Sequence, residues 1–358
     1  MGLGPRAVED LGMTPGFWAG RRVLLTGHTG FKGVWAGLML ARLGAEVTGF
    51  ARAPDSDPAL FDMVGTGHLA GSVIGDLADR GALARTVAAA RPQVVLHMAA
   101  QPLVRRSYRE PVETFATNVM GTVHLLDALR GVAGLEAALV VTTDKVYANA
   151  EDGRAFVEGD ALGGHDPYAA SKAACEIATR AYALSYFGPA GVPLATARGG
   201  NVIGGGDFSE DRLVPDMVRA RMEGTTLLLR SPEATRPWQH VLDCLSGYLV
   251  YLEALVGGRD LPPALNFGPH DPADTMTVAE VQAAFTGGAD WQRDVADTPH
   301  EMATLAIDAG LAGRVLGWQG RMSSGRAVAL TAEWYRDWMN GADAGDLTRA
   351  QIDAHLET

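Results

Sequence analysis

Two short stretches carry the residues best suited to chemistry: Thr142-Thr143-Asp144-Lys145, which ends an apolar run, and Tyr168-Ala169-Ala170-Ser171-Lys172. On a helix the second stretch places a phenol and an ammonium one turn apart on one face. A positive charge beside a phenol lowers its pKa, so Lys172 is expected to favour the phenolate of Tyr168. Such a phenolate can take a proton from an alcohol. The first stretch adds a hydroxyl, a carboxylic acid and an amine. Together these groups suit oxidation of a sugar alcohol followed by loss of water.

Groups this far apart in the chain need a scaffold that brings them together. Residues 22–26 form a short apolar run that stops at Gly27, as a buried strand does. Helical spacing follows over 31–43, and further strands are expected at 46–50, 72–74, 93–97 and 137–142, with helices around 79–90 and 115–130 between them. A long helix is expected over 168–187 and a strand over 194–198. Strands alternating with helices imply right-handed βαβ units, hence an α/β fold with a doubly wound parallel sheet of the Rossmann type. After about residue 201 the alternation weakens, with helices at 213–223 and 241–256, a strand at 226–229 and shorter pieces at 265–267, 278–285 and 310–316. The expected organisation is a dinucleotide-binding domain over 17–200 and a smaller C-terminal substrate-binding lobe over 201–340, with segments open to exchange between them. The lobe is expected to cover the carboxyl ends of the strands. Residues 1–16 and 341–358 are expected to be loose tails.

Composition narrows the function classes. The 358 residues are 47 % apolar and 20 % charged, as in soluble globular enzymes. A net charge of -12 disfavours nonspecific binding to nucleic acid or to anionic membranes, so an anionic ligand needs a local cluster of basic residues. No segment has the apolar length of a membrane span, and the first residues lack the apolar core of a secretory signal. Cys175 and Cys244, the only cysteines, read as reduced thiols of a cytosolic protein, and no cysteine–histidine spacing suggests a metal such as zinc.

The segment Gly27-His28-Thr29-Gly30-Phe31-Lys32-Gly33 joins the first strand to the first helix. Glycines there permit a tight turn and close approach of backbone to a pyrophosphate, and the helix N-terminus offers unpaired N–H groups. A plain turn is the alternative, but this position favours a dinucleotide site. The second strand lacks the acidic residue that usually bonds the ribose of NAD. Arg52 stands there instead, either to meet a 2′-phosphate or as a solvated charge, which leaves NAD and NADP open on local grounds. Asp76 and Leu77 follow the third strand, and Ala99, Ala100 and Gln101 follow the fourth, where adenine and phosphate contacts are expected; loop packing is the alternative. His97 reads as a satisfied core histidine.

The order of three glycines, then Asn118, Thr143, Tyr168 and Lys172 resembles the extended short-chain dehydrogenase/reductase family. The stretches 27–33, 99–105 (Ala-Ala-Gln-Pro-Leu-Val-Arg), 117–122, 143–145, 163–168, 200–207 and 236–241 (Arg-Pro-Trp-Gln-His-Val) resemble its CDP-glucose 4,6-dehydratase branch, and the likeness runs over roughly 17–318. The resemblance implies NAD as cofactor and conversion of CDP-glucose to CDP-4-keto-6-deoxyglucose. It implies that Tyr168 takes the proton of the sugar 4-hydroxyl, that Lys172 lowers the phenol's pKa and binds the nicotinamide ribose, and that Thr143 hydrogen-bonds O4. Asp144 is implied as the acid that protonates the departing 6-hydroxyl, a role that burial favours and the adjacent lysine opposes. Lys145 stands where related dTDP-glucose enzymes carry a glutamate as the C5 base. It is either that base or proton shuttle, or it holds Asp144 or a water while another group removes the proton. Asn118 is implied to kink its helix and to anchor water or lysine near the cofactor.

For the substrate, Asn201, Arg212, Arg230 and Arg236 are candidates at the sugar-nucleotide pyrophosphate, because a planar guanidinium gives paired, charge-assisted bonds. Gln101 and His240 are further candidates, and Trp238 is either a pocket wall or core. The resemblance also implies a homodimer packed through 115–130 and 168–187. Departures at 148–156, at Phe208, where a tryptophan is usual, and over 298–308 bear on the exact sugar nucleotide rather than on the reaction class. A 4-epimerase on the same scaffold would use Tyr168 and Lys172 but needs no acid at Asp144. A silent dinucleotide-binding regulator would need no phenol–lysine pair.

Overall fold

The computed structural model of the protein describes residue 9 and residues 11–149, 153–294 and 305–357. Its first half alternates as β1 (Arg22–Thr26), α1 (Phe31–Arg42), β2 (Glu46–Ala51), β3 (Gly71–Ile74), α2 (Arg80–Ala90), β4 (Val94–His97), α3 (Val104–Arg109), α4 (Pro111–Phe115), α5 (Gly121–Leu129), β5 (Ala137–Thr143), α6 (Pro167–Tyr182) and β6 (Leu194–Gly199). The second half runs β7 (Asn201–Ile203), α7 (Leu213–Glu223), β8 (Leu227–Leu229), β9 (Thr235–Arg236), β10 (Trp238–His240), α8 (Val241–Val256), β11 (Ala264–Phe267), β12 (Met276–Thr277), α9 (Val278–Thr286), β13 (Trp291–Arg293), α10 (Gly310–Leu316), α11 (Ser324–Met339) and α12 (Ala344–Glu357).

Every residue of β5 is buried, as a central parallel strand covered on both faces requires. The seven-stranded sheet has the order β11-β6-β5-β4-β1-β2-β3, and its pairings are parallel throughout. The order reverses between β1 and β4, which opens a crevice at the carboxyl ends of the strands. On one face Trp35 and Met39 of α1 pack with Leu245 and Leu249 of α8. On the other, Leu83 and Val87 of α2 pack with Leu125 and Leu126 of α5.

Segments are exchanged between the two expected units: residues 201–340 are not one contiguous lobe, because β11 pairs with β6 at the sheet edge and α8 is buried beneath the sheet. The rest of this half holds three small ladders, β7 with β10, β8 with β13 and β9 with β12. The expected loose tails are also docked where they are described. Leu11 and Met13 are buried, and Glu253 accepts hydrogen bonds from the Thr14 backbone N–H (2.6 Å) and from Trp18 Nε1 (2.7 Å). At the other end α12 buries Ile352 and Leu356, and Trp334 donates to Thr348 at 3.1 Å. Residues 1–8, 150–152 and 298–304, parts of stretches discussed above, lie outside the described residues. Among the described residues no helix is long and apolar enough to cross a membrane.

Candidate active site

The segment 27–33 sits at the carboxyl end of β1, beside the crevice. Gly27 has φ 80, and a Cβ there would stand 2.7 Å from the Ala99 backbone nitrogen, so only glycine lets the two loops meet. A Cβ on Gly33 would run into the Gly27 carbonyl. Gly30 is different: its Cβ would meet only the Gly27 carbonyl oxygen, at 3.5 Å, and the residue caps α1 without any side-chain bond to the first-turn N–H groups. A cradle of bare backbone ahead of a helix N-terminus fits the pyrophosphate of a dinucleotide. Thr29 fastens the loop by donating to the Arg52 carbonyl at 2.7 Å. Ala100 directly follows Ala99 at this approach, and Phe31 packs near Gly204.

Several residues expected at the cofactor serve otherwise. The His28 ring is turned under Gly49 and bonds Ser72 at 2.8 Å, so only its backbone belongs to the cradle. Arg52 lies 3.9 Å from Asp76 and 3.5 Å from Glu113, and two carboxylates beside it make a poor seat for a 2′-phosphate. Leu77 is buried against Gly121. His97 is held between Thr26 and Thr122, and burial pushes it down to about 3, as a neutral core histidine.

Asn118 lies on a π-helical turn, Ala116–Met120, between α4 and α5, which is the expected irregularity in that helix. Its side-chain oxygen accepts from the Gln101 N–H (2.8 Å), while its amide donates to the Gln101 carbonyl (3.1 Å) and to Ser171 (2.8 Å). It therefore ties the loop after β4 to α6, and among the described residues its side chain makes no hydrogen bond to a lysine. The Gln101 side chain spends both amide donors on Leu103 and Thr114, and its oxygen accepts from the Leu103 N–H.

Thr143 ends β5, and Asp144 and Lys145 follow in a tight 3₁₀ turn. Asp166 caps α6 by accepting from the Ala169 N–H, and Pro167 opens the helix, which puts Tyr168 in its first turn. The Tyr168 hydroxyl lies beside Thr143, whose own hydroxyl donates to Asp144 Oδ1 at 2.9 Å. Phenol, hydroxyl and carboxyl thus follow one another. Asp144 is buried, and its second oxygen has no partner among the described residues. A side chain on Gly200 would lie 3.6 Å from that oxygen, so the glycine leaves it room. Lys145 Nζ reaches Asp144 Oδ1 at 3.4 Å and Asn201 at 3.5 Å.

One expectation fails here. Lys172 is buried and donates to the Val141 carbonyl at 3.1 Å, and burial lowers its own pKa. Tyr168 is pushed up to about 12, first because burial disfavours its charged form, with Asp144 and Asp166 adding to the effect. Arg212 and the neighbouring Thr143 oppose this without overcoming it. In the protein alone Tyr168 is therefore a phenol, not a phenolate.

A cavity of about 230 Å³ opens beside Lys145 and is lined by Asn201, Arg212, Arg230, Arg236 and Trp238. The substrate candidates from the second half of the chain thus converge on it, with the exception of His240. That histidine is fully buried against Trp35, accepts from the Leu242 N–H at the start of α8, and is pushed down to about 3 by burial. It is core, not pocket. Behind the reacting groups lies a network absent from the residue-level expectations. Glu176, one turn beyond Lys172, takes Arg198 through Nε (3.1 Å) and Nη2 (2.8 Å), and accepts from Thr142 (2.5 Å) and Thr196 (2.7 Å). Arg198 also donates to Tyr147 at 2.9 Å. Opposite charges on α6 and β6, each expected to be buried, were the signal available in the sequence.

The family model described as "NAD dependent epimerase/dehydratase family" matches residues 23–267. The chain is 41 % identical over 350 residues to the CDP-glucose 4,6-dehydratase of Salmonella typhimurium, covering 95 % of this chain and 97 % of that one. It is 34 % identical over 268 residues to the dTDP-glucose 4,6-dehydratase of Streptomyces antibioticus, covering 74 % and 76 %. Among solved structures, MoeE5 in complex with UDP-glucuronic acid and NAD superposes with a TM-score of 0.74 at 26 % identity, over 88 % of this chain and 99 % of that one. The glycine cradle at the strand-order reversal and these similarities lead to one conclusion: the chain belongs to the NAD dependent epimerase/dehydratase family.

Proposed function

We propose that the protein is a nucleotide-sugar 4,6-dehydratase that converts CDP-glucose to CDP-4-keto-6-deoxyglucose. The observation that carries the reading is the line Tyr168–Thr143–Asp144 beside an arginine-lined cavity, in a chain 41 % identical to a CDP-glucose 4,6-dehydratase. An epimerase has no use for the buried carboxylate. Bound at the 27–33 cradle, NAD would supply the oxidation at C4 and, once reduced, the reduction at C6. Tyr168 first gives up its own proton to solvent, the charge of a bound cofactor favouring the phenolate, and then receives that of the 4-hydroxyl, while Thr143 hydrogen-bonds the oxygen at C4. Asp144 acts as the carboxylic acid, its proton on the unpartnered oxygen, and gives the 6-hydroxyl the proton it needs to leave as water; the proton that Tyr168 gains from the 4-hydroxyl then restores it. Lys145, between Asp144 and Asn201, removes the C5 proton. Arg212, Arg230 and Arg236 hold the pyrophosphate.

The protein works as a cytosolic homodimer in this reading. Both cysteines are free and buried, as suits a reducing compartment. Val112, Phe115 and Met120 near α4, and Ile177, Leu184 and Tyr186 along and just after α6, are exposed apolar residues that a second copy would cover. Sedimentation at the mass of a single 37.7 kDa chain would remove the dimer.

The reaction is tested with CDP-glucose carrying deuterium at C4. The label is expected at C6 of a 4-keto product, with no net consumption of NAD. Label retained at C4, or released as reduced cofactor, would overturn the dehydratase reading.

A further inference from the structure

One guanidinium at the cavity is left incomplete. Arg105, in the first turn of α3, lines the cavity. Its Nε and Nη2 are buried with no hydrogen-bond partner among the described residues, and only its Nη1 reaches an acceptor, Asp211 Oδ1, at 3.5 Å. Buried donors on a charged group are costly to leave unpaired, so such donors mark the place of an acceptor. Asp211 meets that need poorly. It stands at φ 55, in the left-handed region that few side chains adopt. Its carboxylate is shared by Arg105 at 3.5 Å, Arg109 at 3.6 Å and Arg230 at 3.7 Å. Well-made charge-assisted bonds are shorter, about 2.7–2.9 Å. The nearby Asp216 is engaged with Arg219, and Arg212 beside Asp211 lines the same cavity.

We propose that Arg105 is a phosphate-binding residue for the sugar nucleotide, and that Asp211 is a built-in competitor for Arg105 and Arg230. The inference rests on the nucleotide-sugar reading above and adds to it a residue from the cofactor-binding half of the chain. Once Arg105 swings off Asp211, a diphosphate in the cavity can offer its now enclosed Nε and Nη2 the acceptors they lack. It also draws Arg105 and Arg230 off Asp211. Binding is then an exchange of one carboxylate for a doubly bonded phosphate, and the carboxylate subtracts from the affinity.

Calorimetric titration with CDP and with inorganic pyrophosphate tests this on the full chain, for the wild type, Arg105→Gln, Asp211→Asn and the double variant. Asparagine tolerates the left-handed backbone, so Asp211→Asn removes the charge and keeps the turn. Arg105→Gln is expected to weaken both ligands by on the order of 10- to 100-fold, the worth of one or two charge-assisted bonds. Asp211→Asn is expected to tighten both, and the gain should vanish in the double variant. Unchanged affinity in Arg105→Gln, no tightening in Asp211→Asn, or equal tightening with and without Arg105 would each overturn the proposal. If Arg105→Gln does not fold, Arg105→Lys keeps the charge and loses the fork. It should bind several-fold more weakly, and wild-type affinity in it overturns the proposal equally. Loss of binding in Arg236→Ala with none in the Arg105 variants sinks this inference alone. A wild type that binds neither CDP nor any other nucleoside diphosphate sinks the nucleotide-sugar reading itself.

Discussion

Thr143 stands next to both the phenol of Tyr168 and the carboxyl of Asp144, so the two ends of the proposed reaction can be separated by substitution. Tyr168→Phe removes the acceptor for the 4-hydroxyl proton and should lower turnover by about 10²–10⁴-fold with little change in substrate affinity. Asp144→Asn should still oxidise C4 and then stall, because asparagine cannot protonate the leaving hydroxyl. Reduced cofactor should accumulate on adding substrate, visible as near-ultraviolet absorbance; normal yield of 6-deoxy product from Asp144→Asn would rule it out as the acid. At this scale the sequence is a good guide to which residues meet and a poor guide to their state. The one-turn spacing of Tyr168 and Lys172 is legible, but the burial that keeps Tyr168 protonated is set by distant parts of the chain. His240 shares a motif with Arg236, yet its ring points into the core. Arg105 sits in a quoted motif, but its unpaired donors exist only once the fold surrounds them.

Helix α6 carries Tyr168, Lys172 and Glu176 on successive turns, and β5 carries Thr142 beside Thr143. The Glu176–Arg198 pair, 4 % and 5 % exposed, therefore clamps the helix that bears the phenol to the strands that bear its partners. Breaking a buried pair leaves an uncompensated charge, so Glu176→Gln should cost about 3 kcal/mol or more in denaturant unfolding. A loss below about 1 kcal/mol would show that the pair is solvated or replaceable. Most elements are legible because buried parallel strands are short apolar runs that stop at glycine or at a polar residue. The bounds expected for α7, α8 and α10 match those observed. The last two helices are not recognised from composition, although Thr348, Ile352 and Leu356 repeat at helical spacing. Aspartate, arginine and glutamine between them dilute the apolar signal, and only the facing Trp334 shows what the stripe packs on.

For the whole molecule, four buried histidines set the acid limit. His28 and His355 are pushed down to about 4, and His97 and His240 to about 3, from an ordinary 6.5, in each case mainly by burial. The unfolded chain takes up these protons first. Their contribution is therefore complete above pH 6.5 and is lost as pH falls from there through the folded values. Asp243 and Glu253 are raised to about 6 by burial and act in the opposite sense, gaining protons in the folded protein first as pH falls. Glu158 and Asp216 are raised as well and His68 is lowered, but the four large histidine shifts outweigh the carboxylates, so stability should fall between about pH 6 and 4, by on the order of 1 kcal/mol per pH unit. Urea midpoints at pH 7.5, 6 and 5 check this, and a midpoint that rises or stays level on acidification would contradict it.

The seventh strand has a consequence for synthesis. β11 closes the edge of β6, but the ribosome makes β7 to β10, α7 and α8 in between. Until residues 264–267 emerge, the nascent polypeptide carries β6 as an unpaired apolar edge, the kind that recruits stray strands. A translation product halted after Gly200 is therefore expected to engage chaperones or be degraded rather than to wait as a finished domain. Its recovery as a protease-resistant monomer would show that the edge protects itself.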